Sequence, residues 1–288
     1  MSVSVVPEVV LDHRCLLGEG PAWVETERRL IFVDILRGHL HRLDPATCEL
    51  ETIDVGEPIG AAVPRASGGL VLATESGFVA LDDLGELKPL CRVVEDLPGN
   101  RMNDGKCDPA GRFWAGTQSD VPEIGGGGLY RLDVDGTATR MLGGIGTSNG
   151  LDWTDDGETL YYIDTATGGV DVFDFDADHG TLSGRRRFID IPPEAGLPDG
   201  MTLDDEGGLW IALFGGSAVH RYTPDGTLDA VVEYPVSLVT SCAFGGPDLD
   251  ELYVTSAGHM LSSPEPLAGS LFRCRPGVRG RPCVSYLG

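Results

Sequence analysis

The chain has 288 residues, of which 41% are hydrophobic, and it carries a formal net charge of −24 at pH 7. So large a negative charge disfavours nucleic-acid phosphates and anionic membranes as partners. The sequence contains neither an apolar run long enough for a membrane span nor the basic start of a secretion signal. The seven cysteines form no C-x-x-C pair, which indicates free, mostly buried thiols in a reducing compartment. We therefore expect a cytoplasmic protein with a sizeable core.

The first segment, VVPEVVLD, predicts a β-strand, and an internal repeat follows it. One small residue recurs at intervals of roughly 40–50 residues, a period typical of propellers and solenoids. The six positions are Gly20, Gly60, Gly105, Gly150, Gly200 and Ser241.

Each repeat continues with short runs of β-branched and aromatic residues bounded by Gly, Pro and Asp, which predict strands. Asp-Gly pairs at 135–136, 156–157 and 225–226 suit tight turns between strands. About four strands per repeat form a propeller blade, so the chain is predicted to be an all-β, six-bladed β-propeller. The run 125–128 is interpreted as a flexible loop in the third blade.

The two ends of the chain are expected to complete the last blade, because an open edge strand invites misassociation. The strand VVPEVVLD would supply one part, and the final residues CVSYLG would lie nearby. No linker or abrupt change in composition interrupts the sequence, so residues 1–288 are predicted to form a single domain.

A polar residue precedes the small residue in most repeats. If the repeats are equivalent around one axis, these side chains converge. Glu19, Asn149 and Asp199 then offer an oxygen-only set of ligands. Such ligands suit one divalent cation, Ca²⁺, Mg²⁺ or Mn²⁺, with Zn²⁺ also possible. The alternative is that each residue caps a local turn. The six positions are Glu19, Ile59, Asp104, Asn149, Asp199 and Thr240.

A second cluster, Arg101, Asn103 and Asp104, leads into the third repeat and should line the same cavity mouth. Arg101 offers a fork of donors for carbonyl or hydroxyl oxygens, and Asn103 offers both a donor and an acceptor. The alternative is an Asn-Asp-Gly turn surrounded by surface charges, with Lys106 as a solvated cation.

Other patterns are rejected as sites. Residues 146–150 match G-x-S-x-G, but no helix is predicted after them, so Ser148 is not expected to be a nucleophile. Residues 174–180 begin like a calcium-binding loop, yet Arg185 occupies the closing Glu position, so a turn is predicted. His39 and His41 alternate along a strand and are interpreted as surface or packing residues. Blade-to-blade packing is predicted for Trp23, Trp114, Trp153 and Trp210.

Together these stretches resemble the regucalcin/gluconolactonase family of six-bladed propellers, also called the senescence-marker-protein type. The motifs that carry the resemblance are LGEGPAW, RMNDGKCDPAGRFWAGT, SNGLDWTDDGETLYYIDT, LPDGMTLDDEGGLWIALFGG, TSCAFGG and GVRGRPCVSYLG. The resemblance implies one divalent cation held by Glu19, Asn149 and Asp199. It also implies substrate contacts from Arg101 and Asn103.

The activity implied by the resemblance is hydrolysis of a sugar lactone to an aldonic acid. Asp199 is the candidate general base, with Asp104 in reserve. Some relatives place a third-blade carboxylate over the substrate, but Glu123 in the loop QSDVPEIGGGGLY does not align with that role. The alternatives are another metal-dependent esterase or phosphotriesterase and a non-catalytic calcium-binding protein. The oligomeric state is left open.

Overall fold

A computed structural model of the chain describes residues 5–93, 99–119, 125–261 and 263–288. Within these ranges it contains 24 strands arranged as six four-stranded antiparallel sheets, so the predicted all-β, six-bladed propeller is confirmed. The only helices in the described ranges are single 3₁₀ turns at Ile35–Arg37, Thr165–Thr167 and Pro193–Ala195. None of the described helices has the length and hydropathy needed to cross a membrane.

The first three blades each use four consecutive strands. Blade one is β2 Gly18–Val24, β3 Arg29–Asp34, β4 His39–Asp44 and β5 Glu49–Asp54. Blade two is β6 Ile59–Pro64, β7 Leu70–Thr74, β8 Gly77–Leu81 and β9 Leu87–Arg92. Blade three is β10 Asn100–Cys107, β11 Phe113–Ser119, β12 Gly127–Leu132 and β13 Ala138–Ile145.

The other three blades close the ring. Blade four is β14 Ser148–Trp153, β15 Thr159–Asp164, β16 Gly169–Asp176 and β17 Thr181–Asp190. Blade five is β18 Leu197–Leu203, β19 Leu209–Phe214, β20 Ala218–Tyr222 and β21 Leu228–Glu233. Blade six is β22 Val239–Gly245, β23 Glu251–Ser256, β24 Leu271–Cys274 and, as its outer strand, β1 Glu8–Leu11.

The innermost strand of every blade carries a register shift beside its small residue. At Gly60, Gly150 and Gly200 the neighbouring inner strands lie so close together that a larger side chain would collide. A Cβ atom added to Gly60 would lie 2.3 Å from the carbonyl oxygen of Asn103, and one added to Gly200 would lie 2.1 Å from Ser241 Oγ. Because a bulge redirects side chains, the repeated shift turns the preceding residue toward the channel.

The N-terminal strand closes the ring as predicted. Strand β1 pairs with β24, and Glu8 forms an ion pair with Arg273 across the two strands. The final residues take a different path from the expected one. Tyr286 N–H donates to Pro64 O at 2.8 Å, and its hydroxyl donates to Asp133 O at 2.7 Å. The last six residues therefore lie against blades two and three, because those blades offer a pocket for the Tyr286 ring.

The turns largely follow the sequence pattern. The glycines of the three Asp-Gly pairs have φ of 84°, 68° and 83° at Gly136, Gly157 and Gly226. Each lies in a turn between strands, a conformation that glycine adopts without strain. In the run 125–128 the loop prediction is wrong for the second half, because Gly127 and Gly128 begin β12. All seven cysteines are free, and four of them are buried, as predicted.

The four tryptophans pack between blades, which confirms their predicted role. Trp114 of blade three meets Trp153 of blade four edge-on, with ring centroids 5.8 Å apart. Trp23 of blade one stacks on Tyr253 of blade six. The corresponding contact of blade five is Trp210 with Phe244 of blade six, at 5.9 Å. Aromatic pairs of this kind add stability beyond the area they bury.

Two of these tryptophans are each anchored by a buried aspartate. The carboxylate of Asp108 accepts hydrogen bonds from Trp114 Nε1 at 2.9 Å and Arg112 Nε at 2.6 Å. It also accepts the backbone N–H of Ala110 and of Arg112. In blade five, Asp204 accepts from Trp210 and Arg221 in the same way. These carboxylates are fully buried, yet their oxygens are saturated with donors, which makes the burial tolerable.

Asp108→Ala should lower the free energy of unfolding by about 3–5 kcal/mol, because it leaves the Arg112 cation buried without its partner. Chemical denaturation with global fitting measures the loss. The matched control is Asp82→Ala, a turn aspartate of blade two that accepts from Leu84 and Glu86 N–H near the surface. Its cost should be about 1 kcal/mol. Equal losses of unfolding free energy in the two variants would show that the buried network stabilises the fold no more than a surface turn does.

Candidate functional site

Four polar side chains converge at one end of the central channel. Glu19, Asp104, Asn149 and Asp199 come from the inner strands of blades one, three, four and five. Each is the residue before the small residue of its repeat, where the bulge lies. All four are at most 9% exposed. The structure therefore brings together the three predicted cation ligands and the reserve base.

The remaining two residues of the repeat position do not join this group. Ile59 packs into the apolar interface between blades one and two. The Thr240 hydroxyl donates to Gly18 O at 2.6 Å and lies 2.9 Å from Thr255 Oγ1. Blades two and six therefore contribute no side chain of this position to the polar cluster.

Burial raises the pKa of all three carboxyl groups, and neighbouring carboxylates add to the rise. Burial raises the pKa of Glu19, and the Asp104 carboxylate adds to the rise. Burial, followed by the charges of Glu19 and Asp104, holds the pKa of Asp199 well above its usual range. The guanidinium of Arg101 opposes both shifts. Burial also raises the pKa of Asp104, which the Lys106 ammonium opposes. The cluster therefore disfavours the ionised form of its carboxyl groups unless a cation compensates them.

The amide of Asn149 is held in one orientation. Its Nδ2 donates to Thr165 Oγ1 at 2.7 Å, and the Thr165 hydroxyl donates onward to Pro198 O at 2.8 Å. Its Oδ1 accepts from Asn103 Nδ2 at 3.0 Å. A carbonyl oxygen has two lone pairs, so Asn149 Oδ1 retains capacity for a cation. Sequence reasoning missed Thr165, since it lies outside the repeated position.

Arg101 and Asn103 form a buried network beside the cluster. Arg101 Nη1 donates to Asn103 Oδ1 at 2.8 Å, and Arg101 Nη2 donates to Gln118 Oε1 at 2.8 Å. Both residues are at most 6% exposed, so the alternative of a surface turn is wrong. Gln118 was missed by sequence reasoning. The register of the β10–β11 hairpin could have identified Gln118, because it places this residue directly opposite Arg101.

Lys106 is not a solvated charge. Its ammonium donates to Asp152 Oδ2 at 2.8 Å and to Met201 O at 3.1 Å. Arg281 Nη2 donates to the other oxygen of Asp152 at 2.9 Å. These two cations lower the pKa of Asp152 despite its burial. The arrangement ties blade three, blade four and the C-terminal segment together.

A cavity of about 330 Å³ occupies the other half of the channel. The later residues of the inner strands line it, and the predicted ligands Glu19, Asn149 and Asp199 do not. The C-terminal segment 281–284 covers its outer end. Asp104 of the polar cluster also lines this cavity, whereas Arg101 does not, so the cavity adjoins the cluster. Glu123, in the loop expected near that mouth, lies outside the described residues.

The donor set at the mouth fits a divalent cation. Every side chain of the predicted set offers an oxygen, which hard cations prefer. Buried carboxylates without sufficient countercharge are costly unless they are paired or coordinate a metal. The guanidinium of Arg101 acts on both Glu19 and Asp199, and the Lys106 ammonium acts on Asp104. Because Lys106 is already paired with Asp152, these two cations do not balance the three carboxylates.

Ser148 lies in a strand context, as predicted, and the predicted turn at 174–180 is found at 177–180. Ser148 is fully buried and accepts a hydrogen bond from Tyr162 OH at 2.8 Å, with strand rather than helix following it. Residues 177–180 form the turn between β16 and β17. His41 is fully buried and packs on Phe32, with ring centroids 4.7 Å apart.

Comparisons with known proteins agree with this architecture. Residues 17–258 match the family model described as the SMP-30/Gluconolactonase/LRE-like region. Regucalcin of Xenopus laevis is 40% identical over 99% of each chain. Pentonolactonase XacC of Haloferax volcanii is 41% identical over 95% of each chain. The crystal structure of a calcium-binding protein, regucalcin, from Agrobacterium tumefaciens is 32% identical, with a TM-score of 0.93 over 98% of this chain and 97% of that chain.

In protein stripped with a chelator, Asp199→Asn should increase the free energy of unfolding at pH 7 by about 1–3 kcal/mol. A carboxyl whose pKa is raised by folding destabilises the protein at pH values above its unfolded pKa, and the amide removes that cost. Thermal melts in EDTA measure the gain.

The matched control is Asp152→Asn, which removes an equally buried carboxylate that has two cationic partners. It should lose about 3 kcal/mol, since Lys106 and Arg281 remain without a counter-ion. Addition of Ca²⁺ or Mn²⁺ should stabilise the wild type and Asp152→Asn but not Asp199→Asn. Destabilisation of the chelated protein by Asp199→Asn would contradict the view that this carboxylate lacks compensation.

Proposed function

Because this chain belongs to the SMP-30/gluconolactonase/LRE-like family, we propose that it is a divalent-metal-dependent lactonase that converts a sugar lactone to the aldonic acid. The observation that carries the proposal is the convergence of three buried carboxylates and one oriented amide at the channel mouth. The similarity to a pentonolactonase over nearly the whole chain supports the substrate class. The substrate would be a gluconolactone-like aldonolactone or its five-carbon counterpart.

The cation would be held by Glu19, Asn149 and Asp199. When bound, it supplies Lewis-acid polarisation of the lactone carbonyl and offsets the buried negative charge. Thr165 and Asn103 fix the Asn149 amide from either side, as outer partners commonly do for metal ligands. Ca²⁺, Mg²⁺, Mn²⁺ and Zn²⁺ are all compatible with these donors.

Arg101 supplies positioning rather than chemistry. Its guanidinium is held by Asn103 and Gln118, so its direction is set before the substrate arrives. A preorganised donor fork can hold a sugar hydroxyl without losing further side-chain freedom. Asn103 has two tasks, because it holds Arg101 through Oδ1 and Asn149 through Nδ2.

Proton transfer is assigned to the carboxylates. Asp199 takes a proton from the attacking water, since a carboxylate with one free oxygen can accept it. Asp104 is the reserve base. One of its oxygens accepts the Gly105 N–H at 2.7 Å, and burial raises its pKa toward the neutral range, to about 6. A base poised near the working pH is the more effective catalyst.

Asp199→Ala should abolish metal-dependent turnover, by about 10²–10⁴-fold or more, because it removes a cation ligand and the base together. A pH-indicator assay on stripped protein, with single cations added back, measures this on five- and six-carbon sugar lactones. The control is Asp156→Ala, an exposed turn aspartate that accepts from Glu158 N–H, which should retain full activity.

The same assay separates the rival functions. Simple esters and phosphotriesters are included beside the lactones, and cation binding is followed by calorimetry. Turnover of aryl esters or phosphotriesters in preference to sugar lactones would indicate a different hydrolase. Cation binding without turnover of any substrate would indicate a calcium-binding protein. Near-normal lactone turnover by Asp199→Ala would refute the assigned role of this residue.

Gln118→Leu should raise KM for the lactone by about 5–30-fold with kcat little changed, because Arg101 loses the acceptor that directs it. Steady-state kinetics separate the two constants. Gln118→Glu keeps an acceptor at the same place and should restore KM. A fall in kcat at constant KM would show that Arg101 acts on the transition state instead.

A further inference from the structure

Three metal-binding side chains meet where the closing strand enters blade one. His13 and Cys15 lie between β1 and β2, and His41 lies on β4. One ring nitrogen of each histidine and Cys15 Sγ all lie within 4.8 Å of one another. His41 and Cys15 are 0% and 2% exposed, and His13 is half-buried. This cluster lies on the segment between β1 and β2 and on β4, the third strand of blade one, whereas the proposed lactonase site lies on the inner strands.

The imidazole of His41 has one ring nitrogen engaged and one without a partner. Nδ1 lies 3.0 Å from Thr52 Oγ1, while Nε2 is buried and has no hydrogen-bond partner among the described residues. A buried polar atom left in this way costs about 1–3 kcal/mol. If Nδ1–H donates to Thr52, Nε2 presents a lone pair. Metal-binding histidines typically make such an outer hydrogen bond, which sets the tautomer.

Aromatic packing explains only part of this arrangement. The His41 ring lies 4.5 Å from the His13 ring and 4.7 Å from Phe32, which accounts for its burial. It does not satisfy Nε2, and it does not explain why a thiol lies beside two imidazoles. Burial lowers the pKa of His41 to about 4, so the ring is neutral at pH 7, the form that binds metals.

The backbone at Cys15 is fixed by blade six. Cys15 N–H donates to Gly269 O at 2.9 Å, and Gly258 N–H donates to Cys15 O at 3.0 Å. His41 is fixed by blade one, where it is paired with Phe32 and Thr52. A ligand shared by these residues would therefore join the closing segment of the ring to its first blade.

We propose that His13, Cys15 and His41 form a Zn²⁺ site that locks the ring closure. One thiolate and two imidazoles are donors that Zn²⁺ prefers, unlike the oxygen-only set at the channel mouth. Zinc ligands at about 2.0–2.3 Å in a tetrahedron lie about 3.5 Å apart. The cluster must contract by about 1 Å to reach that spacing, and the half-buried His13 ring can rotate to allow it. Its exposed side leaves the fourth position to water.

Binding has to displace the thiol proton. Burial raises the pKa of Cys15 to about 12, so the thiol is protonated before the metal arrives. Metal ions commonly release such protons, and the affinity of the site is correspondingly lower than that of an exposed thiolate.

Cobalt titration of the metal-stripped full-length protein tests the site. Co²⁺ bound to a thiolate gives a sulfur-to-metal charge-transfer band, which oxygen-only coordination at Glu19, Asn149 and Asp199 does not give. We expect one equivalent of this band in the wild type, its bleaching by Zn²⁺, and its loss in Cys15→Ser. His13→Gln should weaken the Co²⁺ binding that this band reports at least tenfold, and the rise in Tm with Zn²⁺ should be larger in the wild type than in either variant, in which only the channel-mouth site remains.

Matched controls are Cys48→Ser and His179→Gln, an exposed thiol and an exposed imidazole in other turns. Both should retain the band and the Zn²⁺-dependent rise in Tm. Absence of the band in the wild type overturns the proposal, as does a band that survives in Cys15→Ser. If Cys15→Ser does not fold in chelator, His13→Gln decides, because unchanged Co²⁺ affinity in that variant also overturns it. Neither result depends on lactonase activity.

Discussion

The constraint on which the rest of the structure depends is the close approach of neighbouring inner strands. A Cβ at Gly60, Gly150 or Gly200 would collide with the adjacent inner strand, so these strands pack only where the position is almost empty. The bulge at the same position directs the preceding side chain toward the axis. The packing of the ring and the convergence of the polar residues therefore have the same structural cause, the small residue and the bulge beside it. The residue before the small one therefore lies either near the axis, as Asp199 does, or in the interface between two blades, as Ile59 does.

The buried carboxylates of this protein have two contrasting environments. Asp108 and Asp204 each accept four hydrogen bonds and hold a tryptophan between blades. Asp152 is held by two cations. Glu19 and Asp199 instead share a pocket with another carboxylate, and folding raises their pKa. The compensated aspartates belong to the scaffold, whereas the uncompensated ones require something from solution. This contrast, rather than the overall charge, marks the channel mouth as functional.

The fold and the polar cluster could be predicted from the sequence because both follow the repeat. A period shared by Gly20, Gly105 and Gly200 places the preceding residues at equivalent positions without knowledge of the strand register. Contacts between residues at different positions of the repeat could not be predicted from the sequence. The pairing of Lys106 with Asp152 depends on how adjacent inner strands are staggered, and the support of Arg101 by Gln118 depends on a hairpin register. The path of the last residues follows from a pocket for Tyr286 that exists only after blades two and three have assembled. His13 and Cys15 meet His41 through ring closure, which no local spacing encodes.

The two halves of the channel give the proposed reaction a direction. The C-terminal segment covers the far half, and Arg281 fastens it to Asp152, so that half holds a cavity without the predicted ligands. In the proposed reaction, the substrate would approach Asp199 from the side of Arg101, the residue that we expect to contact it. A lactone is neutral when it enters, whereas the aldonate that leaves carries a negative charge. The net charge of −24 disfavours an anionic product near the protein, whereas it does not act on the neutral substrate. The negative charge of the chain thus favours both the approach of a cation and the release of the product.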